Sequence, residues 1–128
     1  MISFSVDGQP IPQGSMKVIN GHIIHTQGSA LAAWRSAIAL AARQAGALPA
    51  EGALELDMTF TMQKPRTVTR SHPTVPPDLD KLVRAVLDGL TAIAYRDDSQ
   101  VTAFTARKVY GERIGLDISI WKVTPTLL

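Results

Sequence analysis

Residues 53–62 read Ala-Leu-Glu-Leu-Asp-Met-Thr-Phe-Thr-Met. Leu54, Leu56, Met58, Phe60 and Met62 alternate with Glu55, Asp57, Thr59 and Thr61. A period of two sends successive side chains to opposite faces of a strand. The segment therefore predicts a strand with one buried and one wet face, in an antiparallel or mixed sheet. Upstream, residues 29–45 repeat apolar positions at Leu31, Trp34, Ile38 and Ala41, which predicts a helix. Ser29 is its candidate N-cap and Gly46 its C-terminal cap. Downstream, Leu79, Leu82, Val83, Val86, Leu90 and Ile93 predict a second helix over about 78–93.

The flanks complete the pattern. Residues 2–7 alternate as a first strand, and Asn20-Gly21 joins 17–19 to 22–25 in a predicted hairpin. Strands are expected near 100–109 and at 113–122, the latter with Ile114, Leu116, Ile118 and Ile120 inward. Gly111-Glu112 between them predicts an antiparallel hairpin, and the tail from Thr124 is expected to be loose. The order β, hairpin, α, β, α, β, β predicts the α+β class, a mixed sheet with two main helices in a single domain over residues 1–128.

At 128 residues, 45% hydrophobic and 19% charged, the composition is that of an ordinary globular chain with one core. The absence of cysteine excludes disulfides and thiolate metal sites and suits a reducing, cytoplasmic compartment. No apolar run reaches the roughly 18 residues of a membrane helix, so no membrane partner is expected. Met1 leads straight into a strand rather than into a secretion signal. The net charge of +2 is too small to identify a nucleic-acid binder, but its distribution is informative. Lys64, Arg66, Arg70 and His72 fall in a segment without acids, between the central strand and the second helix. Asp78, Asp80, Asp88, Asp97 and Asp98 follow. A basic stretch that grips a polyanion, next to carboxylates that hold a cation, is what a metal-dependent phosphodiesterase requires.

Within that acidic stretch, Pro77-Asp78-Leu79-Asp80 stands at the start of the second helix. On a regular helix the two carboxylates would diverge by ~200°. With Asp78 still extended, both can turn to one point and offer hard oxygens to Mg²⁺. The same residues also suit an N-cap and the positive end of the helix dipole. Arg84 and Asp88 follow Asp80 at four-residue steps on one face, as an exposed charge ladder also would. Asp97-Asp98 fits a turn as well as a ligand pair.

Asp78-Leu79-Asp80-Lys81-Leu82-Val83-Arg84-Ala85-Val86-Leu87-Asp88-Gly89-Leu90, followed by Asp97-Asp98-Ser99-Gln100-Val101, resembles the signature of the RusA family of Holliday junction resolvases. That signature runs Asp-Leu-Asp-Asn-Leu, a Lys, an Asp-Ala/Gly-Leu step, then Asp-Asp-x-Gln-Val. The resemblance implies Asp78, Asp80 and Asp98 as ligands of Mg²⁺, with Mn²⁺ as a possible substitute. It also implies a homodimer that cuts four-way DNA junctions by paired symmetric nicks, in recombination and repair. Two positions depart from the pattern. Lys81 replaces the Asn, and Arg84 replaces the Lys. Arg stays charged and grips phosphate through a planar fork, so Arg84 is assigned to phosphate or transition-state charge rather than to proton transfer. Lys81 is a second candidate for that role. Lys17, Lys64, Arg66 and Arg70 are the expected DNA-backbone contacts, with His72 as a further phosphate donor. A junction- or duplex-binding protein that does not cut is the alternative function.

Overall fold

A computed structural model describes residues 1–14, 16–25 and 28–125, with the backbone alone for 16–19 and 23–25. The elements are β1 (Ile2–Asp7), β2 (Met16–Ile19), β3 (His22–His25), α1 (Gly28–Gln44), β4 (Leu54–Met62), α2 (Leu79–Leu90), a 3₁₀ turn (Asp98–Gln100), β5 (Val101–Tyr110) and β6 (Gly115–Lys122). This is the α+β arrangement expected from the sequence. A four-stranded mixed sheet is ordered β1-β6-β4-β5, and β2-β3 forms a separate hairpin. The hairpin turns on Asn20 and Gly21, both at positive φ (51° and 78°), as a two-residue primed turn requires.

β4 is the spine of the sheet. Its alternation is realised in full, with Leu54, Leu56, Met58, Phe60 and Met62 all buried. Trp34, Ile38 and Ala42 of α1, and Leu82, Val83, Ala85, Val86 and Leu90 of α2, join this face in one core with Leu116, Ile118 and Ile120 of β6. Each fully buried large aliphatic side chain contributes about 1.5–3 kcal/mol relative to exposure. The opposite face stays polar. There Arg107 pairs with Asp57 at 2.9 Å, and Ser5 donates to Asp117 across the β1–β6 pair.

The expected β5–β6 hairpin does not form. β5 runs parallel to β4, β6 runs antiparallel to it, and β4 therefore lies between them. The physical reason is burial. β4 has a continuous apolar face that requires neighbours on both edges, whereas β5 is mostly exposed along its first half and suits an edge. The connection at 111–114 crosses the end of β4, where the Gly111 N–H donates to Met62 O at 3.2 Å. The chain then enters β6 at Gly115, φ 155°, where any Cβ would lie 2.2 Å from Val6 O. Only glycine fits between β1 and β4 at that point.

Helix limits shift slightly. α1 begins at Gly28, which puts Ser29 inside the first turn rather than at the cap. At its other end Gly46, φ 91°, makes the expected cap, with Gly46 N–H donating to Arg43 O and Ala47 N–H to Ala42 O. α2 stops at Leu90, short of the predicted Ile93, because the chain turns through Ala92 at φ 70° to bury Tyr95. The Tyr95 hydroxyl donates to Leu87 O. Of the tail expected to be loose, residues 126–128 lie outside the described residues. No described helix is long and apolar enough to cross a membrane.

Candidate metal and nucleic-acid site

The crossover from β4 through α2 to β5 fixes where the chemistry-bearing residues stand. A helix that returns between two parallel strands has its N-terminus at the end where the first strand finishes. The Pro-rich loop at 63–78 and the start of α2 therefore share one end of the sheet with Met62 and Tyr110. Lys108 confirms this placement, since its Nζ donates to Val75 O at 2.9 Å and to Pro77 O at 2.8 Å.

Asp78 occupies the N-cap position of α2 with extended backbone (φ −69°, ψ 140°), as the convergence of two carboxylates requires. Its carboxylate makes no capping hydrogen bond. Its ionic neighbour is Lys81, with Nζ 3.8 Å away, one turn along the helix. Asp80 lies in the first turn and is exposed. Arg84, one turn further, is exposed and has no ion pair or hydrogen bond among the described residues. The charge ladder is absent, because Asp88 instead pairs with Arg35 of α1 at 3.2 Å. Arg35 also donates to the Gln13 side chain, and the Gln13 N–H donates to Lys81 O at 3.0 Å. The loop at 9–14 is thereby pinned beside α2. Gln9, Pro10, Ile11 and Pro12 face Pro76, Pro77, Asp78 and Lys81 across an open cleft of about 500 Å³.

Asp98 lies elsewhere. It opens the 3₁₀ turn just before β5, at the opposite end of the sheet from Lys108. The 12 residues of α2 span ~18 Å at 1.5 Å each. Asp98 is thus at the far end of that helix from Asp78 and Asp80. Among the described residues no three His, Asp or Glu side chains meet around one point. Within one copy the predicted triad is therefore a pair plus a separate carboxylate. Asp78 and Asp80, both exposed at the start of α2, offer oxygen donors of the type a hard cation takes. Mg²⁺ typically takes one or two carboxylates, with waters and substrate phosphates in its other positions.

The turn around Asp98 is firmly built. Asp97 caps it, with Oδ1 accepting from Ser99 N–H at 2.8 Å, and Gln100 reaches back to the Asp97 N–H at 3.1 Å. Gln100 also donates to Ala50 O and Gly52 O. The Ser99 backbone N–H, reinforced by its hydroxyl and by Asp98, holds the Asp97 carboxyl below its usual range. Burial first, then the charge of Asp98, pushes the Tyr95 hydroxyl well above its ordinary value.

Of the expected DNA contacts, Arg70 is half-buried. Its Nε donates to Tyr110 Oη at 2.8 Å, and its guanidinium lies 5.9 Å from the ring centroid. Arg70, Tyr110, Lys108, Gln9 and Gln63 line a second, smaller cleft that adjoins the first at Pro76 and Pro77. Lys64 is exposed beside Tyr110, and Arg66 and His72 are exposed on the same loop. The Lys17 side chain lies outside the described residues. Sequence reading missed Lys108, Tyr110 and Gln13. Lys108 and Tyr110 are legible only once β5 is known to run parallel beside β4, which turns both toward the helix layer. The Asp97-Ser-x-Gln box does carry a local signal, an acid three residues before a Gln.

A sequence model described as endodeoxyribonuclease RusA matches residues 7–121. The chain is also 28% identical over 138 residues to a protein of Bacillus subtilis (strain 168) described as "Uncharacterized protein YqaN", covering 96% of this chain and 97% of that one.

Proposed function

Because this chain belongs to the endodeoxyribonuclease RusA family, we propose that it is a divalent-cation-dependent nuclease that resolves four-way DNA junctions by paired nicks. The observation that carries this reading is the state of Asp78. It stands where an aspartate ordinarily caps a helix, yet its carboxylate makes no cap bond and faces a cleft shared with Lys81. The basic loop that ends there supports a polyanionic substrate.

Asp78 and Asp80 would hold Mg²⁺ or Mn²⁺, and both are hard oxygen donors. When bound, such a cation supplies Lewis-acid stabilisation of the charge that builds on the phosphoryl oxygens. Lys81 and Arg84 flank the pair and add positive charge on the phosphate, and loss of one such preorganised donor typically costs ~3–4 kcal/mol. Arg84 acts by its charge and by its planar fork. Arg70, Lys64, Arg66 and His72 hold the backbone on either side. Asp98, too far to join its own Asp78 and Asp80, reaches a cation only from a second copy. A two-fold dimer accounts for that, and it also matches two nicks on opposite strands of a two-fold junction.

The test is a synthetic four-way junction and a matched duplex, each incubated with and without Mg²⁺. Cleavage of the junction that requires Mg²⁺ is expected, together with a light-scattering mass of twice 13.8 kDa. Binding without cleavage would turn the reading to a non-cutting junction protein. A monomer would remove Asp98 from the ligand set.

A further inference from the structure

The start of α2 poses a problem of mechanical support. A helix leaves its first N–H groups without partners, and a capping side chain usually both satisfies one of them and fixes the incoming chain. Asp78 does neither. The two residues before it, Pro76 and Pro77, have no N–H with which to tie the loop to a neighbour. Their backbone can be hydrogen-bonded to a neighbour only through its carbonyls.

Lys108 holds them. On β5 it is in register with the buried Phe60 of β4, so its stem lies against the helix side of the sheet while its ammonium emerges at the mouth of α2. From there it donates to Val75 O at 2.9 Å and to Pro77 O at 2.8 Å. Both are charge-assisted bonds, roughly twice as strong as neutral ones. Pro77 O belongs to the planar peptide that contains the Asp78 nitrogen. Fixing that oxygen fixes the plane from which Asp78 departs, and with it the direction of the Asp78 side chain.

We propose that Lys108 is a positioning residue. It replaces the missing cap as the anchor of the loop-to-helix junction and thereby leaves the Asp78 carboxylate available to a divalent cation. This rests on the reading of Asp78 and Asp80 as the cation site.

The experiment compares the full-length wild type, Lys108→Met and Lys108→Arg in the absence of DNA. Mn²⁺ uptake is followed through the paramagnetic resonance signal of the free ion, and amide hydrogen exchange is measured at residues 82–84, the first amides of α2 with helical partners, Leu82 N–H donating to Asp78 O at 3.1 Å. In Lys108→Met the Kd for Mn²⁺ should rise by about tenfold or more, the usual effect of losing a group that orients a ligand. Exchange at 82–84 should quicken while that of β4 stays slow, which shows the sheet intact. Lys108→Arg still offers two donors and should recover most of the affinity. Metal-free junction binding should fall by a smaller factor than Mn²⁺ affinity in Lys108→Met. Lys108→Met with wild-type Mn²⁺ affinity, or with unchanged exchange at 82–84, overturns the proposal alone. So does a Lys108→Met protein whose main defect is metal-free junction binding, since that would make Lys108 a direct phosphate contact. A wild-type protein that takes up no Mn²⁺ overturns the cation reading itself and the proposal with it.

Discussion

Asp97 and Asp78 both stand at the N-cap of a helical turn with extended backbone, and they use their carboxylates differently. At Asp97 the carboxylate accepts from Ser99 N–H, Gln100 closes the box, and the pair secures the approach to β5. At Asp78 no such bond exists, and the chain is anchored from outside by Lys108. A residue type and a position along a helix therefore do not determine a role. What differs is whether the backbone has already claimed the oxygen atoms.

The largest test of this contrast is Asp80→Asn. It keeps the size but removes a carboxylate charge from the same turn as Asp78. Junction cleavage should fall by about 100-fold or more, in line with the several kcal/mol that a metal ion contributes. Junction binding should persist or tighten. If cleavage is unchanged and only the melting temperature falls, Asp80 behaves as a first-turn acid, and the start of α2 is no different in kind from the start of the 3₁₀ turn.

Changing Lys64, Arg66 and Arg70 together to Ala bears on the loop that delivers Asp78. Each phosphate contact contributes about 0.9 to the salt slope, so the slope should flatten by up to about 2.7. An unchanged slope would place the DNA on another face.

Asp97→Ala tests the other side of the contrast. The folded-state pKa of Asp97 is lowered, so its ionised form stabilises the fold at any pH above the unfolded value near 3.9, and that contribution disappears as pH falls through the folded pKa. The variant should melt below the wild type at pH 7. The gap between them should close in strongly acidic buffer. A gap that persists there would mean that the carboxylate charge is not what caps the turn.

Asp57→Asn is the smallest. It removes the exposed pair with Arg107 on the polar face of the sheet, worth about 0.2–1 kcal/mol, and should leave cleavage at the wild-type rate.

Much of the fold was legible because burial writes a period into the sequence. The alternation from Leu54 to Met62, the stripe of α2 and the Asn20-Gly21 turn each name their own element locally. Strand neighbours are not local. Gly111 and Glu112 suggest a hairpin, but the buried face of β4 draws β5 to one of its edges and β6 to the other. For the same reason the common place of Asp78 and Asp80 at the start of α2 was legible in the sequence, while the place of Asp98 at the far end of that helix was not. A helix of known length separates them, and the direction in which that helix returns is set by the parallel pairing of β4 and β5. Lys108 had no sequence signal, since the carbonyls it holds lie more than thirty residues away.

The order β1-β6-β4-β5 has a consequence for how the chain is made. β6 is synthesised after β1, β4 and β5, yet it is the partner of β1 along its whole length and of β4 on one edge. Until residues 115–122 emerge from the ribosome, β1 has no strand to pair with, and β4 can pair with β5 alone. The nascent chain can form α1 and the β4-α2-β5 crossover, but it must keep the first strand waiting with its apolar side chains unprotected. Closure is then a single late event that joins the two ends of the sequence, the kind of non-local pairing that makes folding slow. A chain that stops at Tyr110 would contain both Asp78 and Asp98 and still have no closed sheet to hold them.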